Sequence, residues 1–421
     1  MISKIKEKQF FIPRILFMLV TIFMVFDGIR SNLLFGGVLS IIRDLSLILL
    51  FAYSFVIKKK RIVFSRRLML WPFFAYHVFV SLMTFLQPGY IQLSFMVKPF
   101  FILIGIFLFY HYESLTGKTY SYLFTKIVQI IFVFVICDIL FYFIRIPIFK
   151  PDIGWWGRIS CGYPTMDVIT LSYGLILLMF YNKLQINVFW RVVFLIVVFV
   201  GFVVQFTGTG IVLLTIIISA SLYFFAKTKY KKLYKFYIYF FVILFLFSGS
   251  SISYISKKYP QEYRGGLYLM QNKIDILLGN EVETNTMEIR QEQFTSKLRG
   301  MFPLEKAVGR SLINVTNDGE ILSINRKTYM IEDQYSLCQI CYGLIGLFLF
   351  ILMVISVFFY FYSLSIDFNS KVLLCLSILV FIVNSKTLIS LVLFPNSMFF
   401  ALLMGYGLKL SDFYKKMNMM R

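Results

Sequence analysis

Residues 241–266 read FVILFLFSGSSISYISKKYPQEYRGG, and the fold turns on the change inside them. Apolar segments of membrane length run almost without pause from Phe10 to about Ile252. They give way to a mixed, polar stretch from Ser253 to Gln334, after which apolar segments resume and continue to Leu410. About 20 consecutive apolar residues match the roughly 30 Å hydrocarbon core of a bilayer. The pattern is that of many spans with one large polar excursion, placed late in the chain on one face of the membrane.

Composition points the same way. With 59% hydrophobic residues, 15% charged residues and a mean hydropathy of +0.80, the 421-residue chain holds more apolar matter than a soluble core of that length buries. The first apolar segment, Phe10 to Phe26, is followed by no small-residue cleavage site and reads as a retained helix. Cys137, Cys161, Cys338, Cys341 and Cys375 are odd in number and lie mostly inside apolar segments, so they describe neither a disulfide framework nor a zinc site.

Windows of about 19 residues predict spans over 10–27, 33–57, 68–87, 91–112, 123–144, 164–181, 190–207, 209–226, 234–252, 335–362, 371–390 and 391–409. Lys386, Pro395 and Asn396 leave room for a re-entrant hairpin in the last pair. This is an all-α polytopic membrane protein with three regions: spans in 1–252, the loop 253–334, and spans with a tail in 335–421. Basic residues set the orientation. One face collects Lys4, Lys6, Lys8, Lys58 to Arg61, Arg66, Arg67, Lys227 to Lys235, Lys415, Lys416 and Arg421, whereas the opposite short loops hold only Arg30, Arg145, Lys150 and Arg158. The positive-inside bias puts both termini in the cytoplasm and the large loop outside. The net charge of +22 is then mostly this bias and attraction to anionic lipid, not a nucleic-acid footprint. Within the loop, eleven basic residues face eleven acidic ones.

Helical spacing over Tyr268 to Leu278 and Glu288 to Leu298, punctuated by glycine-rich turns, predicts a folded loop. Its Arg264, Arg290, Arg299 and Arg310 offer fixed forks of donors that match phosphate oxygens, although surface solvation accounts for any one of them. Trp155 and Trp156 beside Arg158 read either as an interfacial belt or as a sugar platform next to a phosphate-binding cation. Lys98 either snorkels to headgroups or holds a phosphate. Glu332 and Asp333, followed by Tyr335, close the loop where a helix begins; they favour the helix dipole and equally suit deprotonation of an attacking hydroxyl. Inside the spans, Arg43-Asp44 reads as internal neutralisation or as a functional pair. His77 and His111 have no metal-ligand company and read as core or interface residues, Cys338 and Cys341 as packing residues. No metal site is predicted, and Asn314-Val315-Thr316 matches a glycosylation sequon.

Four stretches carry a resemblance. They are Arg158 to Pro164, the turn Thr207-Gly208-Thr209-Gly210, Arg290 to Phe294 with Pro303-Leu304 and Gly309, and Glu332 to Tyr335 followed by Tyr342-Gly343-Leu344-Ile345-Gly346. With the architecture, they resemble the O-antigen polymerase and ligase superfamily of bacterial inner-membrane glycosyltransferases. Gly210 stands where that family often has an arginine, and the loop exit lacks the histidine typical of ligases, which leans the resemblance toward polymerase. It implies a GT-C-like enzyme that joins undecaprenyl-diphosphate-linked oligosaccharide repeat units at the periplasmic face without metal or cofactor. It further implies that Arg158, Arg290, Arg299, Arg310, Arg264 and Lys98 hold diphosphate, that Trp155, Trp156 and Tyr335 contact sugar, and that Asp333 with Glu332 acts as base. Membrane lipids and a chain-length regulator are the implied partners. A ligase and a lipid-linked oligosaccharide flippase are the competing expectations, and a non-catalytic scaffold a third.

Overall fold

A computed structural model describes residues 2–60, 69–87, 91–144, 148–149, 160–205, 207–227, 295, 298–312, 315–316, 329–330 and 333–419. Among these the chain is almost wholly helical. In order come α1 (Ile2–Ser31), α2 (Gly36–Ala52, extended by a π turn over Tyr53–Ile57), α3 (Leu70–Phe85), α4 (Leu93–Val97), α5 (Phe100–Tyr110), α6 (Tyr112–Thr116), α7 (Tyr120–Ile144), α8 (Pro164–Phe180), α9 (Val188–Gln205) and α10 (Gly208–Lys227). After the start of the loop follow α11 (Pro303–Val308), α12 (Gln334–Leu337), a π turn (Cys338–Tyr342), α13 (Gly343–Ser363), α14 (Phe368–Ser385) and α15 (Phe394–Met419). The one paired strand segment is a two-residue parallel ladder, Val315–Thr316 against Tyr329–Met330.

Among the described residues, five helices are long and apolar enough to cross a membrane: Phe10–Ser31, Gly36–Ile57, Tyr120–Ile144, Gln334–Ser363 and Phe368–Ser385. Of five shorter apolar helices among the described residues, Leu70–Phe85, Phe100–Tyr110, Thr165–Phe180 and Thr209–Leu222 fall within further predicted spans, and Val188–Phe202 begins two residues before the span predicted at 190–207. The span predicted over 91–112 is broken at Lys98-Pro99, and the one over 335–362 contains the π turn. The segments predicted at 234–252, 268–278 and most of 288–298 lie outside the described residues.

Local chemistry sets the ends. Asp333, Thr207 and Asp367 each turn a side-chain oxygen to a backbone N–H of the first turn that follows, at 2.9, 2.9 and 3.0 Å, which satisfies one of the orphan donors of α12, α10 and α14. Pro164 and Pro303 open α8 and α11, where a missing N–H costs nothing.

The chain divides into two compact units. The first comprises residues 1–24, 38–126 and 286–421. There α5 and α15 form the most extensive helix pairing, with Gly105 against Ala401 and Gly405 against the backbone of Ile106 and Tyr110, so that small residues let the two backbones approach. The second comprises residues 25–37 and 127–285, in which α8 packs on α9 and α10, and Phe26 meets Phe134 edge-on at 5.5 Å.

Candidate functional site

In the first unit, the end of the polar loop is built into the helices. Carbonyls freed at the π turn of residues 338–342 accept from the loop: the Arg310 N–H donates to the Ile340 carbonyl at 2.9 Å, and the Ser311 N–H to that of Cys341 at 3.1 Å. The helix breaks because Gly343 has φ +66°, and the loop closes on it through Gly309 at φ +90°. A Cβ on Gly309 would lie 2.2 Å from the Cys341 carbonyl oxygen, and one on Gly343 would lie 2.3 Å from that of Ala307. Only glycines satisfy both the backbone conformation and the contact.

Side chains from α3 complete the dock. The Tyr76 hydroxyl donates to the Val308 carbonyl at 2.8 Å and lies 3.1 Å from that of Tyr342. Thr84 Oγ1 accepts from the Leu312 N–H at 3.0 Å, and Ser311 Oγ donates to Gln87 Oε1 at 3.1 Å. Fully buried His77 places Nε2 2.9 Å from the Met96 carbonyl and Nδ1 2.8 Å from Tyr342 Oη. A carbonyl only accepts, so in the neutral ring Nε2 carries the hydrogen and Nδ1 accepts from the tyrosine. His77 therefore holds α3, the Met96 backbone and the helix break together, in keeping with a core residue.

Beside the dock lies an apolar cluster that includes Val80, Phe95, Met96, Leu312, Leu337, Ile340, Ile389 and Val392, and the backbones of two predicted site residues join it: the Arg310 N–H donates to Ile340, and the Asp333 carbonyl accepts from Leu337. Asp333 uses one carboxylate oxygen on the Ser336 N–H at 2.9 Å and the other on Ser336 Oγ at 2.6 Å. Arg310 pairs through Nε with Glu305 at 3.2 Å and donates from a terminal nitrogen to the Gly300 carbonyl. Lys98 sits half-buried in the turn between α4 and α5. Of the others, Arg299 is exposed, and Tyr335 turns inward, its hydroxyl 3.3 Å from the Ile382 carbonyl and its ring edge-on to Phe350. Arg158, Arg264, Arg290, Trp155, Trp156 and Glu332 lie outside the described residues.

A polar hairpin adjoins this dock. Buried Gln334 donates its N–H to the Leu388 carbonyl and accepts the Leu391 N–H on Oε1, at 3.2 and 3.1 Å, which fixes the turn between α14 and α15. Arg43 pairs with Asp44 of its own helix at 2.7 Å, and its guanidinium lies 4.4 Å from the centre of the Phe394 ring.

The second unit holds a polar centre of its own. Asp27, Asp138 and Asp167, each 1% exposed, come from α1, α7 and α8. Asp138 Oδ1 accepts the N–H groups of Cys161 and Gly162 at 2.7 and 3.1 Å, and Oδ2 accepts from Gln205 Nε2 at 3.0 Å. Ser160 Oγ stands 3.3 Å from both Asp138 and Asp167, while Asp27 pairs with Arg30 at 2.6 Å. Gly28 and Gly162 pack their backbones on the Asp167 carboxyl, where a Cβ would approach its oxygens to 1.9 and 2.0 Å. Asp167 Oδ1 and Gln205 Oε1 receive no hydrogen bond. Burial, followed by the charges of Asp138 and Asp167, pushes the Cys161 thiol up to about 12. Sequence reasoning did not assemble this centre; it touched it at Arg30, at Cys161 and in the Arg158 to Pro164 stretch, and not through the pairing of its aspartates. The signal was present all the same, because a lone acid inside an apolar span is costly and marks a candidate. No group of three or more His, Cys, Asp or Glu suited to a metal ion occurs among the described residues.

The fold and these centres define an all-helical, membrane-embedded protein with polar groups concentrated where helices break and end. No protein-family model matches the chain, and no curated protein matches it by sequence.

Proposed function

We propose that the protein is a polysaccharide polymerase of the bacterial inner membrane. It joins undecaprenyl-diphosphate-linked repeat units of O-antigen, capsule or exopolysaccharide at the periplasmic face, with both termini in the cytoplasm. The observation that supports this best is the docking of Arg310 and Ser311 into the π turn at Ile340 and Cys341, one helical segment from Asp333. It uses the Tyr342-Gly343-Leu344-Ile345-Gly346 stretch that carries the sequence resemblance, and it holds a loop cation and the loop-exit carboxylate at fixed stations.

In the proposed reaction, a hydroxyl of one lipid-linked unit attacks the anomeric carbon of a chain on a second carrier, and undecaprenyl diphosphate leaves. The leaving group departs with its charge, so catalysis needs cations over the diphosphate. Arg158, Arg290, Arg299 and Arg310, with Arg264 and Lys98, are assigned to it. Asp333, with Glu332, orients or deprotonates the acceptor; Trp155, Trp156 and Tyr335 are assigned to sugar. A chain-length regulator is the expected protein partner.

Arg310→Ala and Asp333→Ala variants that insert normally should reduce the surface-polysaccharide ladder of the host to core plus a single repeat unit. A full-length ladder from both would overturn the assignment. The three buried carboxylates of the second unit favour one other reading, a transporter of the lipid-linked unit, since acids within spans commonly mark translocation routes. That reading requires single units to accumulate on the cytoplasmic face when the chain is deleted.

A further inference from the structure

At the start of helix α11, two apolar side chains, Phe302 and Leu304, stand exposed among the described residues of the first unit. Six residues do not make a stable helix alone, and none of those in α11 is buried. What fixes it lies at its ends: the Phe302 N–H on Glu305 Oε2 at 2.8 Å, the Val308 carbonyl on Tyr76, and Gly309 against Cys341. Held in this way, it leaves Phe302 73% and Leu304 72% exposed. In water, each would leave most of its apolar area unburied, against the hydrophobic effect. We infer that Phe302 and Leu304 insert into the bilayer, so that the end of the polar loop is a lipid-embedded wedge whose occupant is the phospholipid layer.

Two further observations specify lipid. The first is continuity. Residues 308–312 bond to Tyr76, Thr84 and Gln87, so they run along roughly 16 Å of α3 and its C-terminal extension at 1.5 Å per residue, beside it and not above its end. That stretch of chain also exposes Phe79, Leu82, Phe85 and Leu86, and α13, on which α11 packs, exposes Leu344 and Phe348. The apolar belt of two helices thus continues onto Phe302 and Leu304. The second is charge. Within α11, Leu304 and Lys306 are two positions apart, about 200° around a helix, so they leave opposite sides, while Phe302 precedes the helix with an extended backbone and lies outside that spacing. Glu305 is engaged by Arg310, and the exposed charges left nearby are the cations Lys306 and Arg299. An apolar edge backed by cations suits the boundary between acyl chains and anionic headgroups.

The test is photo-crosslinking of the full-length protein in native membranes, with a benzophenone amino acid placed in turn at positions 302, 304, 306 and 348. The expected result is a phospholipid mass adduct at 302 and 304, as at 348, and loss of that adduct at 306. Adducts to a protein at 302 and 304 would overturn the inference and make the edge a partner interface. Absence of any adduct there, with 348 still labelled, would overturn it in favour of water. A Phe302→Trp variant gives an independent reading, because brominated acyl chains should quench its added fluorescence. None of these outcomes depends on whether the protein polymerises sugar.

Discussion

Gly309 and Gly343 meet across the loop dock, and the contact has no room for a methyl group. Gly343→Ala forces a β-carbon into the Ala307 carbonyl at a backbone conformation that costs an alanine about 1 kcal/mol or more before any clash. The variant is expected to unfold several degrees lower in detergent and to be cut by protease between residues 300 and 312; an unchanged melting temperature would mean that the loop end is not docked. Tyr342→Phe acts through the same break. It strips the donor from His77 Nδ1 and leaves a buried acceptor unpaired, a loss of about 1–3 kcal/mol, readable as a lowered thermal midpoint. In the second unit, a thiol held near 12 is protonated throughout the neutral range, and the thiolate is the nucleophile. Cys161 should therefore resist maleimide between pH 7 and pH 9 and react quickly once the protein is denatured. Fast labelling of the folded protein would show that Cys161 is not buried as described. Little of this was legible at single positions, because a glycine's partner may lie 34 residues away, as Gly343 does from Gly309. Sequence spacing carries no record of such a meeting.

At the scale of elements, the helices were legible and their irregularities were not. Apolar length placed the membrane-length segments Phe10–Ser31, Gly36–Ile57, Tyr120–Ile144, Gln334–Ser363 and Phe368–Ser385 to within about five residues of the predicted spans. The π turn at 338–342 left no trace in hydropathy, since Cys, Gln, Ile, Cys and Tyr continue the apolar pattern; it is a backbone event stabilised by the N–H groups of Arg310 and Ser311. The first turn of α12 offers a test that separates the two readings of Asp333. As a cap it stabilises the helix end by about 1 kcal/mol, and as a base it must be ionisable. Asparagine retains the cap and loses the base. If Asp333 serves as base, Asp333→Asn should melt with the parent protein and still collapse the polysaccharide ladder, whereas Asp333→Ala should lose both stability and product. A full ladder from a stable Asp333→Asn protein would leave the residue a cap alone.

Across the whole molecule, the strongest check on the sequence reading is which helix ends keep company. Within the first unit, Phe10 and Arg14 meet Gly117, Lys58 reaches the Phe10 ring, and Tyr110 donates to Asp412 at 2.5 Å. A different set, Thr84, Gln87, Ser311, Gln334 and Leu388, gathers around the loop dock. Within the second unit, Leu33 pairs with Phe149, and Asn32 donates to the Cys161 carbonyl. Each group contains only positions that strict alternation of the predicted spans would place on one side. Which side is cytoplasmic rests on the lysines and arginines, and that is open to a direct measurement. Alkaline phosphatase, active only outside the cytoplasm, should be active when fused after Gly300 and inactive when fused after Lys118 or after Arg421. An active fusion at Lys118 would reverse the assignment. Activity at both Gly300 and Arg421 would instead mean an even number of crossings between them, where three are predicted, and would place the error among α13, α14 and α15, where Gln334 closes the hairpin.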